Sequence, residues 1–260
     1  MSDSQTNGAQ PSPTDGEAAL RQRYEAVQAR LRAAEHACRR VAGSVGLLAV
    51  SKTFPAEDVV ALARLGQRAF GENYVQEGVD KILRVRALLA SPADEPGAVA
   101  LEWHFIGPLQ SNKTRQVAES FDWVHSVERE KIAQRLNDQR PAGLAPLNVC
   151  IQVNVSGEAS KSGCAPHEAA ALARRVAGMP RLRLRGLMAI PEATPDEAEQ
   201  RAAFARLARL QEALRADGLA PDTLSMGMSA DLEAAVAEGA TLVRVGTAIF
   251  GARVRAEPTA

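Results

Sequence analysis

A lysine, an arginine and two small-residue turns are the groups in this chain whose types and spacing could do chemistry. Lys52 lies just past the apolar run Leu47-Leu48-Ala49-Val50. A lysine at the end of a buried strand is desolvated, which lowers its pKa toward the free amine that imine formation requires. Lys113 and Lys161 stand in similar places after later strands, and a solvated surface lysine is the plain alternative, so position alone leaves all three open. Far downstream, Leu224-Ser225-Met226-Gly227-Met228-Ser229 and Val243-Arg244-Val245-Gly246-Thr247-Ala248 each read as strand, small-residue turn and helix start. That arrangement aims backbone N–H groups at an anion such as phosphate. Gly227 and Ser229, and again Gly246 and Thr247, are either phosphate donors or an ordinary turn glycine and helix cap. Arg244 shares a strand face with Gly246; a buried arginine there needs a partner, either an ion-pair carboxylate or a ring nitrogen.

The remaining reactive types are less pointed. His104 and His125 fall within strands, and no second histidine sits at a metal-ligand spacing, so both read as satisfied core histidines. Asn73 and Asn154 lie at or beyond strand ends, where asparagine either contacts a ligand or caps a loop. Met188, Met226 and Met228 suit packing as well as ring contact. Cys38, Cys150 and Cys164 are odd in number and too far apart for a metal knuckle; they read as free thiols in a reducing compartment, with no base beside Cys164.

The elements that would position these residues alternate along the chain. Residues 1–16 carry little to bury and read as a disordered tail, leaving 17–260 as the folded unit. A helix from Glu17 places Leu20, Tyr24, Val27, Leu31, Ala34, Cys38 and Val41 on one stripe, which suits packing on a barrel flank or a coiled coil. Strands follow at Leu47–Val50, Arg68–Phe70, Trp103–Ile106, Trp123–His125, Leu147–Val155 (the longest), Leu182–Ile190, Thr223–Met226 and Leu242–Val245. Helices intervene, including one opened by Thr194 as N-cap, Pro195 at N1 and Glu197 at N3. A turn-rich loop covers Ser91–Gly97. Eight strand–helix pairs fit a single (β/α)8 barrel, with a doubly wound open sheet as the rival. In a barrel, active sites gather at the C-terminal strand ends, and phosphates sit after strands seven and eight.

The chain has 260 residues, 46% of them apolar, and a formal net charge of zero with both signs interspersed. No basic stripe marks a nucleic-acid face. No run of about 20 apolar residues exists to span a bilayer, and the N-terminal stretch is not a signal peptide. A soluble cytoplasmic protein is the expectation.

Taken together the motifs resemble one family. They are Val50-Ser51-Lys52-Thr53, Phe70-Gly71-Glu72-Asn73-Tyr74-Val75-Gln76-Glu77, His104-Phe105-Ile106-Gly107-Pro108-Leu109-Gln110-Ser111-Asn112-Lys113 and Gln152-Val153-Asn154-Val155-Ser156-Gly157. With them go Gly186-Leu187-Met188-Ala189-Ile190-Pro191, Ser225-Met226-Gly227-Met228-Ser229 and Arg244-Val245-Gly246-Thr247-Ala248-Ile249-Phe250-Gly251. From about Leu20 to Arg253 the chain is similar to the pyridoxal-phosphate homeostasis (YggS, or proline-synthetase co-transcribed) family.

The resemblance implies a single TIM barrel of the alanine-racemase type, fold type III, with pyridoxal 5′-phosphate held as an imine on Lys52. It also implies that Ser229, Gly246 and Thr247 bind the phosphate, that Arg244 faces the pyridine nitrogen, and that Asn73 and Met226 line the ring. Members act in vitamin B6 and amino-acid homeostasis. A cation opposite the ring nitrogen makes the cofactor a weak electron sink. Related racemases add a tyrosine base carried by a second domain; here the tyrosines are Tyr24 and Tyr74, and nine residues follow Gly251. The expectation is therefore a monomeric cofactor-binding protein serving pyridoxal-phosphate-dependent apoenzymes. A cryptic racemase or lyase and an aldolase-like phosphosugar barrel are the rivals.

Overall fold

Short apolar runs buried on both faces form parallel strands, and the amphipathic stretches between them cover the outside. The computed structural model describes residues 13–90, 100–158 and 162–252. Its strands are β1 (Gly46–Val50), β2 (Ala69–Glu72), β3 (Glu102–Phe105), β4 (Trp123–Val127), β5 (Leu147–Gln152), β6 (Leu182–Met188), β7 (Thr223–Ser225) and β8 (Leu242–Val245). They pair in chain order as a closed barrel. The seam is sealed by β1 against β8, with Leu48 beside Arg244 and Ala49 beside Val245. This is the barrel expected from the alternation, and closure excludes the open sheet.

The helices are α1 (Pro13–Ala37), α2 (Ala56–Arg64), α3 (Val75–Leu89), α4 (Thr114–Ser120), α5 (Glu130–Gln139), α6 (Ala169–Ala177), α7 (Glu197–Ala216), α8 (Leu232–Ala237) and α9 (Thr247–Phe250). Strand alternation divides the core in two. Leu48 and Val50 point inward with Ile106, and Trp123, Cys150 and Met188 form a second interior group. Ala49, Phe70, Phe105 and Val124 point outward into the larger core under the helices. Burial of each large side chain there contributes about 1.5–3 kcal/mol.

The structure shifts several expected boundaries. Helix α1 already begins at Pro13, inside the expected tail, while residues 1–12 and the Ser91–Gly97 loop lie outside the described residues. Its stripe from Leu20 to Ala34 packs against the barrel's flank, and Arg23 Nε donates to the Ile249 carbonyl at 2.8 Å. Val41 drops out of the stripe because the helix stops at Ala37, and its side chain is 79% exposed. Strand β5 ends at Gln152, not Val155, because Asn154 starts a turn there. Its Oδ1 accepts from Gly157 N at 3.0 Å and its Nδ2 donates to the Glu158 carbonyl at 2.7 Å. The longest strand is β6, with seven residues. Helix α7 is capped by Asp196, whose carboxylate accepts from Ala198 N at 2.8 Å, and Thr194 lies just upstream of that cap.

Candidate functional site

Closure of the barrel brings residues from the two ends of the chain together. Lys52 follows β1, Asn73 follows β2, Met226 and Ser229 follow β7, Arg244 lies on β8, and Gly246 and Thr247 come directly after it. These four strands are neighbours in the order β7-β8-β1-β2, so all seven expected site residues occupy one side of the mouth. Lys113 follows β3, further round the barrel, and Lys161 lies outside the described residues. Topology thus separates what the sequence leaves open: of the described candidates, Lys52 is the lysine beside the two anion-type turns.

The backbone around Lys52 is tied down on both sides. Leu48 and Val50 point into the barrel, while Ser51 faces outward toward Glu72 and α3. The buried Lys81 on α3 donates to the Ser51 carbonyl at 2.6 Å, to Glu72 Oε1 at 2.7 Å and to Glu77 Oε1 at 2.9 Å. Ser51 Oγ donates to the same Glu72 oxygen at 2.7 Å. On the far side, Thr53 N donates to Glu77 Oε1, and Thr53 holds a left-handed backbone at φ 69. A non-glycine residue there is strained unless its surroundings hold it. Burial pushes the Glu72 carboxyl above the usual carboxylate range, opposed by the charge of Lys81.

The two turns differ in construction. Gly227 sits at φ 91, and a Cβ there would lie 2.5 Å from Ala235 Cβ, so this position takes only glycine. Asp231 accepts from Met228 N and closes the turn around the half-buried Ser229, whose carbonyl accepts from Arg30 Nη1 at 2.6 Å. Arg30 is paired in turn with Glu233. In the second turn the Gly246 carbonyl takes the first helical bonds, from Ile249 N at 2.9 Å and Phe250 N at 3.0 Å. The N–H groups of Thr247 and Ala248 belong to the first turn of α9, where the helix ladder provides no acceptor.

Below this rim lies Arg244, only 4% exposed. Its Nη1 donates to the Ser225 carbonyl at 2.6 Å and to Ser225 Oγ at 2.8 Å, and its Nη2 to the Ala189 carbonyl at 2.9 Å. Of its five N–H groups, the Nε–H and one on Nη2 are given no acceptor among the described residues. Burial pulls its pKa down to about 10, which leaves it a cation at neutral pH. Asn73 Oδ1 is buried with no hydrogen-bond partner among the described residues. Met226 is fully buried in the helix-facing core, so near the rim it offers main chain, and its N donates to the Leu242 carbonyl at 3.1 Å.

Comparison with known proteins gives this geometry a context. The family model for the alanine racemase N-terminal domain matches residues 21–254. The pyridoxal phosphate homeostasis protein of Pseudomonas aeruginosa is 62% identical over 227 residues, covering 87% of this chain and 93% of that protein. The chain belongs to the pyridoxal phosphate homeostasis protein family. The protein of the same name from Escherichia coli K12 is 54% identical, covering 87% of this chain and 94% of that one. A structure of PipY from Synechococcus elongatus with PLP bound superposes with a TM-score of 0.74 at 34% identity, covering 89% of this chain and 100% of that chain. Alanine racemase of Corynebacterium glutamicum shares the fold, with a TM-score of 0.62 at 17% identity over 91% of this chain and 62% of that chain.

Sequence reasoning misses the supporting residues. Ser225 reads only as a residue of the seventh strand and its motif, yet its hydroxyl is the acceptor beneath Arg244. The i,i+4 spacing of Glu77 and Lys81 is a usable signal for the cluster around Lys52. His104 and His125 are buried and bond to each other, with His104 Nδ1 2.9 Å from His125 Nε2. His125 is the satisfied core histidine expected, whereas His104 Nε2 has no hydrogen-bond partner among the described residues.

Proposed function

We propose that the chain binds pyridoxal 5′-phosphate at the barrel mouth, holds it as a Schiff base on Lys52, and serves vitamin B6 and amino-acid homeostasis without turning over a substrate. The observation that carries this reading is the seam: β1, which Lys52 follows, pairs with β8, which Gly246 and Thr247 follow. The residues present fit the cofactor. An amine suits its aldehyde, the N–H groups opening α9 and the Ser229 turn suit its phosphate, and Asn73 Oδ1 is a buried acceptor with no partner among the described residues. A side chain at 246 would put its Cβ 3.2 Å from the Val50 carbonyl oxygen, which accounts for glycine at the rim.

Bound pyridoxal phosphate supplies an electrophilic carbon and a ring that can delocalise charge. This chain's residues restrain that second capacity. Arg244, cationic and held from below by carbonyl and hydroxyl acceptors, offers a donor to the ring nitrogen and disfavours a proton there. A carboxylate in its place would do the reverse. The half-buried setting of Lys52 and Ser229 suits a cofactor that must enter and leave, and hence exchange with apoenzymes.

The test is chemical. Purified protein given pyridoxal phosphate should gain visible absorption, and borohydride reduction followed by peptide mapping should place the modification on Lys52. Labelling at Lys113 or Lys161 would overturn the site. Turnover of an amino acid that disappears in Lys52→Ala would overturn the non-catalytic part.

A further inference from the structure

Arg244 does not end at Ser225. The Ser225 hydroxyl that accepts from Arg244 Nη1 also lies 2.8 Å from His125 Nδ1. His125 Nε2 then meets His104 Nδ1 at 2.9 Å, and His104 Nε2 faces Glu102 Oε2 at 3.7 Å. Both rings are buried inside the barrel, and His104 stacks on Trp123 with centroids 5.1 Å apart. The chain runs from under the mouth to Glu102, the first residue of β3, at the opposite end of the barrel.

Hydrogen-bond chemistry favours one direction. A guanidinium only donates, so Ser225 Oγ accepts from Arg244. The Ser225 hydrogen then finds an acceptor in His125 Nδ1 when that nitrogen is bare, and this tautomer satisfies both groups. In it His125 carries its proton on Nε2 and donates to His104 Nδ1. His104 in turn carries its proton on Nε2 and presents it to the Glu102 carboxylate. At 3.7 Å that last link is electrostatic and not a formed hydrogen bond. Burial holds both imidazoles below their usual pKa, in keeping with two neutral rings. Each acceptor faces the cation and each donor faces the carboxylate, so the dipoles add along the line.

We propose that Ser225, His125 and His104 are positioning residues, a one-directional wire that locks the Arg244 guanidinium under the cofactor ring and links it to Glu102. The proposal rests on the pyridoxal-phosphate reading above. The wire keeps Arg244 in place as a donor to the ring nitrogen and supplies no alternative proton to it.

The experiment uses full-length protein and pyridoxal phosphate labelled with 15N in the ring, with Ser225→Ala, His104→Phe and Glu102→Gln compared to the parent. The readouts are the ring 15N shift, the visible absorption maximum and the affinity for the cofactor. Ser225→Ala and His104→Phe should both move the 15N resonance toward that of a pyridine nitrogen without a donor, and weaken binding by about tenfold, as loss of a hydrogen bond to a charged group does. Glu102→Gln, at a carboxylate 59% exposed and therefore safe for folding, should move it the same way by less. If only Ser225→Ala moves the resonance while the other two match the parent, the wire is refuted and Ser225 acts alone. A second readout needs no cofactor: in the apoprotein, rotation about the Arg244 Cζ–Nη bonds, followed by NMR, should quicken in His104→Phe, and unchanged rotation would also refute the proposal. Failure of the parent protein to bind the cofactor would instead overturn the functional reading and leave this second measurement standing.

Discussion

Lys52 is set between two neighbours whose backbone groups are gripped by charged side chains, and the grip is buried on the Ser51 side and half-buried on the Thr53 side. Lys81 reaches Ser51, Glu72 and Glu77 from one amine, while Glu72 is fully buried with its second oxygen unpartnered among the described residues. Removing one member leaves an uncompensated charge in a dry place. Lys81→Met should therefore destabilise the protein by about 3–5 kcal/mol, read as a lower urea midpoint. Lys81→Met combined with Glu72→Leu should recover part of that loss. If the single variant is as stable as the parent, the cluster is not what holds residues 51–53 in place.

At the scale of elements, the start of α7 separates pattern from geometry. Thr194-Pro195-Asp196-Glu197 carries two residues able to cap a helix, and the pattern favours Thr194. The structure uses Asp196, because its carboxylate accepts from Ala198 N, and Thr194 Oγ1 instead donates to Glu199 Oε2 at 2.7 Å. Asp196→Ala should cost about 1 kcal/mol, and Thr194→Ala should cost less; equal losses, measured by denaturation, would return the cap to Thr194.

Local signals explain what is legible in the sequence and what is not. The eight strands and the mouth position of Lys52, Arg244 and Gly246 are legible, because apolar period and turn residues act over a few positions. The Ser225–His125 bond joins residues 100 positions apart, and no local signal encodes a partner at that distance. Met226 shows the limit from the other side: its motif position is readable, but the outward turn of its side chain follows from Ser225 facing in.

For the whole molecule, burial of thiols gives a measure of integrity. Burial pushes the Cys150 thiol up to about 12 and the Cys164 thiol up to about 11, from an ordinary value of 9.0. Both stay protonated and inert at pH 8 in the folded protein. Alkylation at either should track global unfolding, with Cys38, which is only partly buried, modified first. The sign of the linkage follows: the unfolded chain releases these protons near pH 9 while the folded one keeps them. Stability is whole below that value and falls as pH rises toward 11–12. A urea midpoint unchanged from pH 8 to pH 11 would contradict the burial of both groups.

The seam between β1 and β8 joins strands nearly 200 positions apart in the chain. The anion-type turn at Gly246 leaves the ribosome long after Lys52 has emerged. A ligand attached to Lys52 and gripped at that turn is therefore a clasp that can fasten only after β8 has been made and has met β1. Once fastened, it opposes peeling of the first strand from the last, and slowed amide exchange confined to β1 and β8 is its signature.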